Sequence, residues 1–300
     1  MNNIQDNIKI GLALGGGGSR GSYQIGILKA LYEEKILKQV ESITGTSIGA
    51  VNTLMVMANF DYEKMIETWE KISNSEIYGK GMDRLKEDGH GLYNIHKLFK
   101  VLSKEVSLSE VRKSRFESHV VATKIRKGRL IDQLLFRRFE KEVFNLQEVD
   151  DPRIAVLASS SIPILFGSTE VDGEQYIDGG VMDNCPVEPL IEQGCNIIFA
   201  VPIHLRFSPN KFKDKNVFII NMKTNYLFNK ISFDPISFKP EVVREKAEYG
   251  YMMGKHIVNQ LRLSGYLDEN NHWQIPNEYT HFRISRAEEQ KLRKSIKEEK

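Results

Sequence analysis

The pentapeptide Gly45-Thr46-Ser47-Ile48-Gly49 lies between a short β-like run and an apolar, helix-like run. Glycines two residues before and two residues after a serine are typical of a nucleophile elbow, a tight turn from a strand into a helix. The two flanks of such a turn nearly touch, so Gly45 and Gly49 are required for steric reasons. The pattern predicts that the hydroxyl of Ser47 stands clear of the sheet.

Two other segments accompany this serine. Upstream, residues 8–14 have the pattern of a buried strand that runs into Gly15-Gly16-Gly17-Gly18-Ser19-Arg20-Gly21 and then into a helix. Downstream, a second apolar run ends at Asp178-Gly179-Gly180. A glycine loop, a serine elbow and an aspartate between a strand and glycines together indicate the parts of an acyl hydrolase.

The composition is that of a globular chain of 300 residues, with 41% hydrophobic residues, 27% charged residues and a net charge of +2. This net charge gives no sign of a nucleic-acid partner. The first residues lack the pattern of a signal peptide, and the apolar run 48–58 is too short to span a bilayer. Cys185 and Cys195 are expected to be reduced thiols, so we expect a cytoplasmic protein.

Strand-like and helix-like patterns alternate in the N-terminal half, which predicts an α/β layered fold with a mainly parallel central sheet flanked by helices. The predicted strands cover residues 8–14, 42–44, 118–123, 196–201 and 216–222, and the predicted helices cover residues 23–36, 48–58, 152–161, 186–193 and 240–263. Asp172-Gly173 predicts the turn of a hairpin that ends at Asp178. The glycine loop and the elbow both follow strands, so we expect them on one edge of the sheet.

The remaining segments suggest how the chain is organised. Residues 60–115 have a mostly helical pattern, and Gly79, Gly81, Gly89 and Gly91 mark a candidate lid or flank within it. A core domain over residues 8–205 and a partly helical extension over residues 206–300, packed on that core, are expected. The basic run 290–297 is interpreted as a solvated helix end rather than as a contact with an anionic membrane.

The order of these motifs resembles the patatin-like phospholipases over residues 8–205. The similarity extends to Tyr23-Gln24-Ile25-Gly26-Ile27-Leu28, to Ala158-Ser159-Ser160-Ser161-Ile162-Pro163 and to Asp183-Asn184-Cys185-Pro186. Two places depart from the family pattern: Phe166-Gly167-Ser168 stands where prolines are usual, and Lys124 stands where an aspartate is usual. Neither departure touches the motifs that carry the chemistry.

The resemblance implies a lipid acyl hydrolase of the phospholipase A type, with Ser47 as the nucleophile and Asp178 as its base. Such a dyad needs a short contact between the two side chains, in apolar surroundings that raise the basicity of the carboxylate. The amides around Gly16, Gly17 and Gly18 are expected to stabilise the oxyanion. Supporting positions are expected at Arg20, Gly21, Gly45, Gly49, Gly179 and Gly180.

The same resemblance bears on cofactors and partners. We expect no metal or organic cofactor, and activity without calcium, because the seven histidines have no metal-ligand spacing and no EF-hand loop is present. The family favours membrane phospholipids as substrates, with association at the membrane surface rather than insertion. The sequence leaves the lipid class, the acyl position and the oligomeric state open.

Three alternatives remain. The glycine loop also fits a dinucleotide-binding fingerprint, although Glu41 precedes the next strand instead of ending it. An α/β-hydrolase triad would recruit His204, His256, His272 or His281, of which His204 is the best placed because it follows a predicted strand. A catalytically inactive lipid-binding scaffold is the third alternative, and no sequence feature supports it.

Overall fold

The central feature of the fold is a sheet with both catalytic candidates at the ends of its strands. The computed structural model describes residues 8–73, 96–125, 139–163, 166–228, 239–276 and 278–298. In these residues the strands are β1 Ile10–Leu14, β2 Val40–Thr46, β3 Glu117–Ile125, β4 Phe139–Asn145, β5 Thr169–Val171, β6 Glu174–Asp178, β7 Ile197–Val201, β8 Phe218–Asn221 and β9 Thr280–Phe282. Their order in the sheet is β5-β6-β3-β2-β1-β7-β8-β9, with β4 paired to β3.

Helices connect and cover these strands. In the described residues they are α1 Ser22–Glu33, α2 Ile48–Met57, α3 Tyr62–Ser73, α4 His96–Glu105, α5 Leu108–Arg112, α6 Pro152–Ser160, α7 Glu188–Glu192, α8 Pro240–Leu263 and α9 Arg286–Glu298. None of the helices in this part of the chain is both long and apolar enough to cross a bilayer. The predicted α/β class, with a mainly parallel sheet flanked by helices, is confirmed.

The strands from β3 through β2, β1, β7 and β8 to β9 run parallel to one another. Side chains of β1 and β7 alternate between two cores: Leu12 and Phe199 join the large core with α1, α2 and α8, whereas Ala13 and Ile198 join a smaller core with α7. A parallel sheet that is covered on both faces explains why these strands are apolar without a break. The loops after β1 and β2 therefore emerge on the same edge.

Strand β3 joins the parallel sheet to an antiparallel hairpin. Its first half pairs with β2 in parallel, with Thr46 opposite Val121. Its second half pairs with β6 in the antiparallel direction, with Ala122 opposite Asp178. Strands β2 and β6 thus lie end to end along the same side of β3, and their C-terminal ends face each other. This arrangement brings the residue after Thr46 next to Asp178.

The C-terminal part of the chain completes this unit. Strands β8 and β9 extend the sheet beyond β7, and α8 packs along α1. The two helix backbones touch at glycines: a Cβ added at Gly26 would lie 1.8 Å from the Ala247 carbonyl oxygen, and one at Gly250 would lie 2.0 Å from that of Tyr23. No side chain fits at these crossings, so α8 has one position along α1.

Most of the predicted elements are confirmed. The hairpin β5–β6 turns at Asp172 and Gly173, both with positive φ, and Asp151 caps α6 by accepting from the Arg153 N–H. Strands β4 and β9 were not predicted from the sequence. The candidate lid glycines Gly79, Gly81, Gly89 and Gly91 lie outside the described residues.

Candidate active site

Ser47 occupies a strained turn between β2 and α2. Its φ of 55° and ψ of −124° are unusual for a residue with a side chain, and such strain costs about 1–3 kcal/mol. The turn is tight, because a Cβ added at Gly49 would lie 2.1 Å from the Leu14 carbonyl oxygen and one at Gly45 would lie 2.6 Å from the Gly49 carbonyl oxygen. The tight strand-to-helix turn predicted from the sequence is therefore present, with Ser47 at its apex.

The end of α6 holds this elbow in place. The Ser47 N–H donates to the Ser159 Oγ at 2.9 Å, and the Ser159 hydroxyl donates to the Val121 carbonyl oxygen at 2.6 Å. Ser159 is fully buried, so water does not compete for these bonds. A second anchor comes from the Thr46 hydroxyl, which donates to the Asp183 carbonyl oxygen at 2.9 Å. The bonds made by the Ser47 N–H and by the Thr46 hydroxyl stabilise the strained backbone conformation of the elbow.

Asp178 is buried at the end of β6, beside the elbow. Its N–H donates to the Ser161 carbonyl oxygen at 2.8 Å, and its Oδ1 accepts from the Gly180 N–H at 2.7 Å. Burial raises the pKa of this carboxyl from 3.8 to about 6, against the opposing effects of the Ser47 hydroxyl and the Gly180 N–H. Within the described residues the buried Oδ2 has no hydrogen-bond partner, so it is open to accept a proton.

The two side chains therefore interact without a hydrogen bond of normal geometry. The Ser47 hydroxyl is close enough to lower the pKa of the Asp178 carboxyl, yet Oδ2 accepts no hydrogen bond from the described residues. The short contact expected from the sequence stays a prediction. Hydrogen bonds of catalytic groups often tighten only when substrate is bound.

The glycine loop follows β1 and lies against the elbow. A Cβ added at Gly16 would stand 3.0 Å from the Ser47 Cβ. The Gly16 N–H donates to both oxygens of Asn184, Oδ1 at 2.8 Å and the carbonyl at 2.9 Å. It is therefore not free to bind an oxyanion, contrary to the expectation from the sequence. Among the described residues, the amides of Gly17 and Gly18 have no acceptor.

Comparison with known proteins identifies the family of this chain. A family model described as patatin-like phospholipase matches residues 12–191. The chain belongs to the patatin-like phospholipase family. Among curated proteins it is 26% identical to the "Probable lipid hydrolase 463L" of Invertebrate iridescent virus 6 over 191 residues, covering 60% of this chain and 63% of that protein.

Other relatives are much longer than this patatin-like chain. It is 30% identical over 211 residues to the "Lysophospholipase NTE1" of Kluyveromyces lactis, a match that covers 65% of this chain and 12% of the relative. Among solved structures, VipD from Legionella pneumophila aligns with a TM-score of 0.46 at 14% identity, covering 84% of this chain and 67% of VipD.

Close packing around Ser47 also requires glycine at the other predicted supporting positions. A Cβ added at Gly21 would lie 2.8 Å from both Ile48 and Trp69, and one at Gly179 would lie 2.0 Å from the Val121 carbonyl oxygen. At Gly180 it would lie 2.8 Å from the Asp178 Oδ1. These positions therefore allow the loop and the strand ends to pack closely around Ser47.

The histidine alternative has no geometric support at His204. Its Nδ1 accepts from the Arg206 N–H at 3.1 Å. Burial and the charges of Lys223, Arg206 and Arg20 lower the pKa of its imidazole to about 4. A triad histidine needs a carboxylate partner that stabilises its charged form. His204 has cations around it instead, and Arg20 contributes to this positive surrounding from the glycine loop.

Among the described residues, Glu41 of the dinucleotide alternative, a second triad histidine and the candidate metal ligands lie away from the elbow or apart from one another. Glu41 is exposed near the start of β2, at the end of the strand away from the glycine loop, so it cannot hold a ribose at that loop. His272 contacts Asp268, four residues earlier in a surface loop, through its Nδ1. In the described ranges no three His, Cys, Asp or Glu side chains gather to hold a metal ion.

Exposed apolar and basic side chains lie near site residues, either in the chain or through a hydrogen bond. Val181 and Met182 follow directly after Gly180 and are 37% and 44% exposed, and Leu205 is 63% exposed. Leu205 comes two residues after Ile203, whose carbonyl oxygen would lie 2.8 Å from a Cβ at Gly17. Lys223 donates to the Leu205 carbonyl oxygen, and Arg206 is exposed beside it. We refer to Val181, Met182, Leu205, Arg206 and Lys223 as the site rim.

Three residues that shape this site were not assigned a role from the sequence. Ser159 and Ser161 hold the backbones of Ser47 and Asp178, and Asn184 holds Gly16. All three stand in segments that carry the family resemblance. The family resemblance therefore marked these segments as important. It did not show which residues they bind, because the hydrogen bonds join positions that are separated in the chain.

Proposed function

We propose that this protein is a lipid acyl hydrolase of the phospholipase A type, which works through an acyl-enzyme on Ser47 with Asp178 as the base. The observation that carries this proposal is the buried carboxyl of Asp178, with a pKa of about 6 and an open Oδ2, beside a serine on a strained elbow. A base works best when its pKa lies close to the working pH. Burial therefore gives Asp178 the basicity that an exposed carboxylate lacks.

In the first half of the reaction the Ser47 Oγ attacks the ester carbonyl carbon, and Asp178 Oδ2 accepts the hydroxyl proton. The tetrahedral intermediate carries a negative charge on the former carbonyl oxygen. It then collapses, the bond to the leaving oxygen breaks, and Asp178 returns the proton to that oxygen. The alcohol product leaves, and the acyl group remains as an ester of Ser47.

In the second half a water molecule attacks the acyl ester while Asp178 accepts one of its protons. Collapse of the second tetrahedral intermediate releases the fatty acid and returns the proton to Ser47. Both halves use only groups of this chain, so we expect the reaction to proceed with calcium chelated. The same carboxylate accepts and donates in each half, which is why no histidine is needed.

The oxyanion in both halves is assigned to the amides of Gly17 and Gly18. These amides have no acceptor in the described residues, whereas the Gly16 amide is held by Asn184. Removing one donor of an oxyanion hole typically lowers kcat about 10²–10³-fold. Arg20, in the turn that follows, adds positive charge on this side of the site, as its effect on His204 indicates.

The site rim supports a lipid as the substrate and a membrane surface as the place of reaction. Exposed apolar side chains, of which Leu205 is the most exposed, suit the acyl region of a bilayer, and Arg206 and Lys223 suit phosphate groups. The relatives named as lipid hydrolase and lysophospholipase agree with phospholipids or lysophospholipids. A cytoplasmic location at the inner membrane surface belongs to the same proposal, supported by two free, buried cysteines.

The proposal is tested by release of fatty acid from mixed phospholipid vesicles in the presence of a calcium chelator. We expect the wild type to release fatty acid and Ser47→Ala and Asp178→Asn to lose at least about 10³-fold in rate, as for removal of members of a catalytic set. Asp172→Asn is the matched control, because Asp172 is exposed in the turn of the same hairpin. Release by Ser47→Ala at the wild-type rate would contradict the proposal.

A further inference from the structure

A lysine from the C-terminal helix reaches the glycine loop through the interior of the protein. Lys246 of α8 is fully buried, and its Nζ donates to the Ser19 Oγ at 2.7 Å. Burying an ammonium group costs several kcal/mol, because its hydration is lost. Lys255, on the same helix, instead lies at the surface, where it pairs with Glu33 and Glu34.

Helix packing fixes the position of this lysine. Its neighbour Ala247 has its carbonyl oxygen against Gly26 of α1, and Gly250 one turn later lies against the Tyr23 backbone. Because α1 begins directly after the glycine loop, α8 is held at a constant distance from that loop. The ammonium of Lys246 is therefore directed at Ser19 by backbone-to-backbone contacts rather than by a flexible surface arrangement.

Ser19 connects this lysine to the amides assigned to the oxyanion. It lies in the 3-10 turn Gly18–Gly21, directly after Gly17 and Gly18, and is fully buried. The Ser22 hydroxyl donates to the Ser19 carbonyl oxygen at 3.1 Å, which fixes the turn to the start of α1. A shift of Ser19 would move the adjacent Gly18 amide with it.

We propose that Lys246 is a positioning residue for the oxyanion loop. Its ammonium holds Ser19, and through Ser19 it orients the Gly17 and Gly18 amides and places a positive charge behind them. This inference rests on the proposed function, since it concerns the intermediate of the acyl-transfer reaction. It also gives residues 206–300 a part in the chemistry, beyond packing on the core.

The test uses the full chain and a soluble p-nitrophenyl ester, so that binding to vesicles does not affect the rates. In Lys246→Met the ammonium is replaced by an apolar group of similar length. We expect kcat to fall about tenfold to hundredfold, because small misplacements of an active site have effects of this size, and KM to change less than about threefold. The Tm of each variant is measured beside kcat, so that an effect on the reaction is distinguished from a loss of stability.

Two further variants separate positioning from simple structural support. Lys255→Met, on the same helix, removes a surface ion pair and should keep the wild-type kcat. Ser19→Ala should lower kcat by an amount similar to Lys246→Met, and the double variant should be at most about threefold slower than either single variant, because both changes break the same contact.

The possible outcomes are distinct. A wild-type kcat in Lys246→Met, or a loss of activity that only follows a loss of Tm, would overturn the role of Lys246 and leave the proposed function standing. Fully additive losses in the Ser19→Ala and Lys246→Met pair would overturn the connection through Ser19. A wild type that neither hydrolyses the ester nor reacts with a fluorophosphonate would overturn the proposed function, and this inference with it.

Discussion

The buried carboxyl of Asp178 is expected to weaken the fold at neutral pH. Burial raises its pKa from 3.8 to about 6 in the folded protein, whereas the unfolded chain exposes the group to water. Between these two pH values the folded state keeps a proton that the unfolded state has released. The contribution of Asp178 to stability is therefore most favourable at low pH, falls as the pH rises from about 4 to about 6, and reaches its full cost above that.

The size of this effect follows from the difference in pKa. About two pKa units correspond to about 3 kcal/mol in the free energy of unfolding. Asparagine has the shape of aspartate, and its Oδ1 can still accept from the Gly180 N–H. Its Nδ2 would stand where Oδ2 now has no partner, and it could donate to the Ser47 hydroxyl. We therefore expect Asp178→Asn to unfold with a free energy about 2–3 kcal/mol higher than the wild type at pH 7.5.

The assay is urea unfolding of wild type and Asp178→Asn at pH 7.5 and at pH 4, followed by circular dichroism. The gain of Asp178→Asn in the free energy of unfolding should nearly vanish at pH 4, where the Asp178 carboxyl of the folded wild type is protonated. Asp172→Asn, in the exposed turn of the same hairpin, should show no such gain. An Asp178→Asn protein less stable than wild type at pH 7.5, or a gain equal at both pH values, would refute the assignment of a high pKa to this carboxyl.

The same pKa predicts the pH dependence of activity. The pH profile of kcat/KM reports the pKa values of the free enzyme. The wild type should therefore lose activity below a midpoint of about 6, with a slope of one proton, as Asp178 becomes protonated. A midpoint near the ordinary value of an exposed aspartate would indicate that this carboxyl is not the base.

Three further substitutions, two of them with a matched control, test the surroundings of the proposed dyad. Ser159→Ala leaves the Ser47 N–H without its acceptor and should cost about 1–3 kcal/mol of stability and lower the acylation rate, measured by unfolding and stopped-flow. Ser160→Ala, whose Oγ has no partner among the described residues, is its control and should be neutral. Gly17→Ala should lower kcat at least about tenfold, because the new Cβ would lie 2.8 Å from the Ile203 carbonyl oxygen. Its control is Gly194→Ala, which places a Cβ with nothing within 4 Å and should keep the wild-type kcat. Equal kcat values in the two variants would contradict the oxyanion assignment. His204→Ala should keep ester hydrolysis within about threefold, and a hundredfold loss would restore the triad alternative.

The fold was largely predictable because its signals are local. Apolar runs with turns between them predicted β1, β2, β7 and β8, and capping residues predicted α6. Strand β9 has three residues, and β4 has three charged residues in a row, followed by two apolar residues that are only partly buried. Such strands are set by the partner they pair with rather than by their own sequence.

The sequence supplied candidate residues for the site but not their geometry. The motifs pointed to Ser47 and Asp178 as candidates, yet their proximity depends on β2 and β6 lying end to end along β3. The pairing of Gly16 with Asn184 and the burial of Lys246 against Ser19 join segments more than 150 residues apart. Contacts of this kind leave no local pattern, so the glycine amide that is already bound by Asn184 and the buried lysine that contacts Ser19 became visible only in the structure.

The central claim, that Ser47 is the nucleophile of a lipid acyl hydrolase, is tested most directly by reaction with a fluorophosphonate that carries an alkyl chain, followed by peptide mass spectrometry. We predict a single adduct on the peptide that contains Ser47, complete loss of the adduct in Ser47→Ala, and slow labelling in Asp178→Asn. An unlabelled wild type, or an adduct on another serine that persists in Ser47→Ala, would contradict the account.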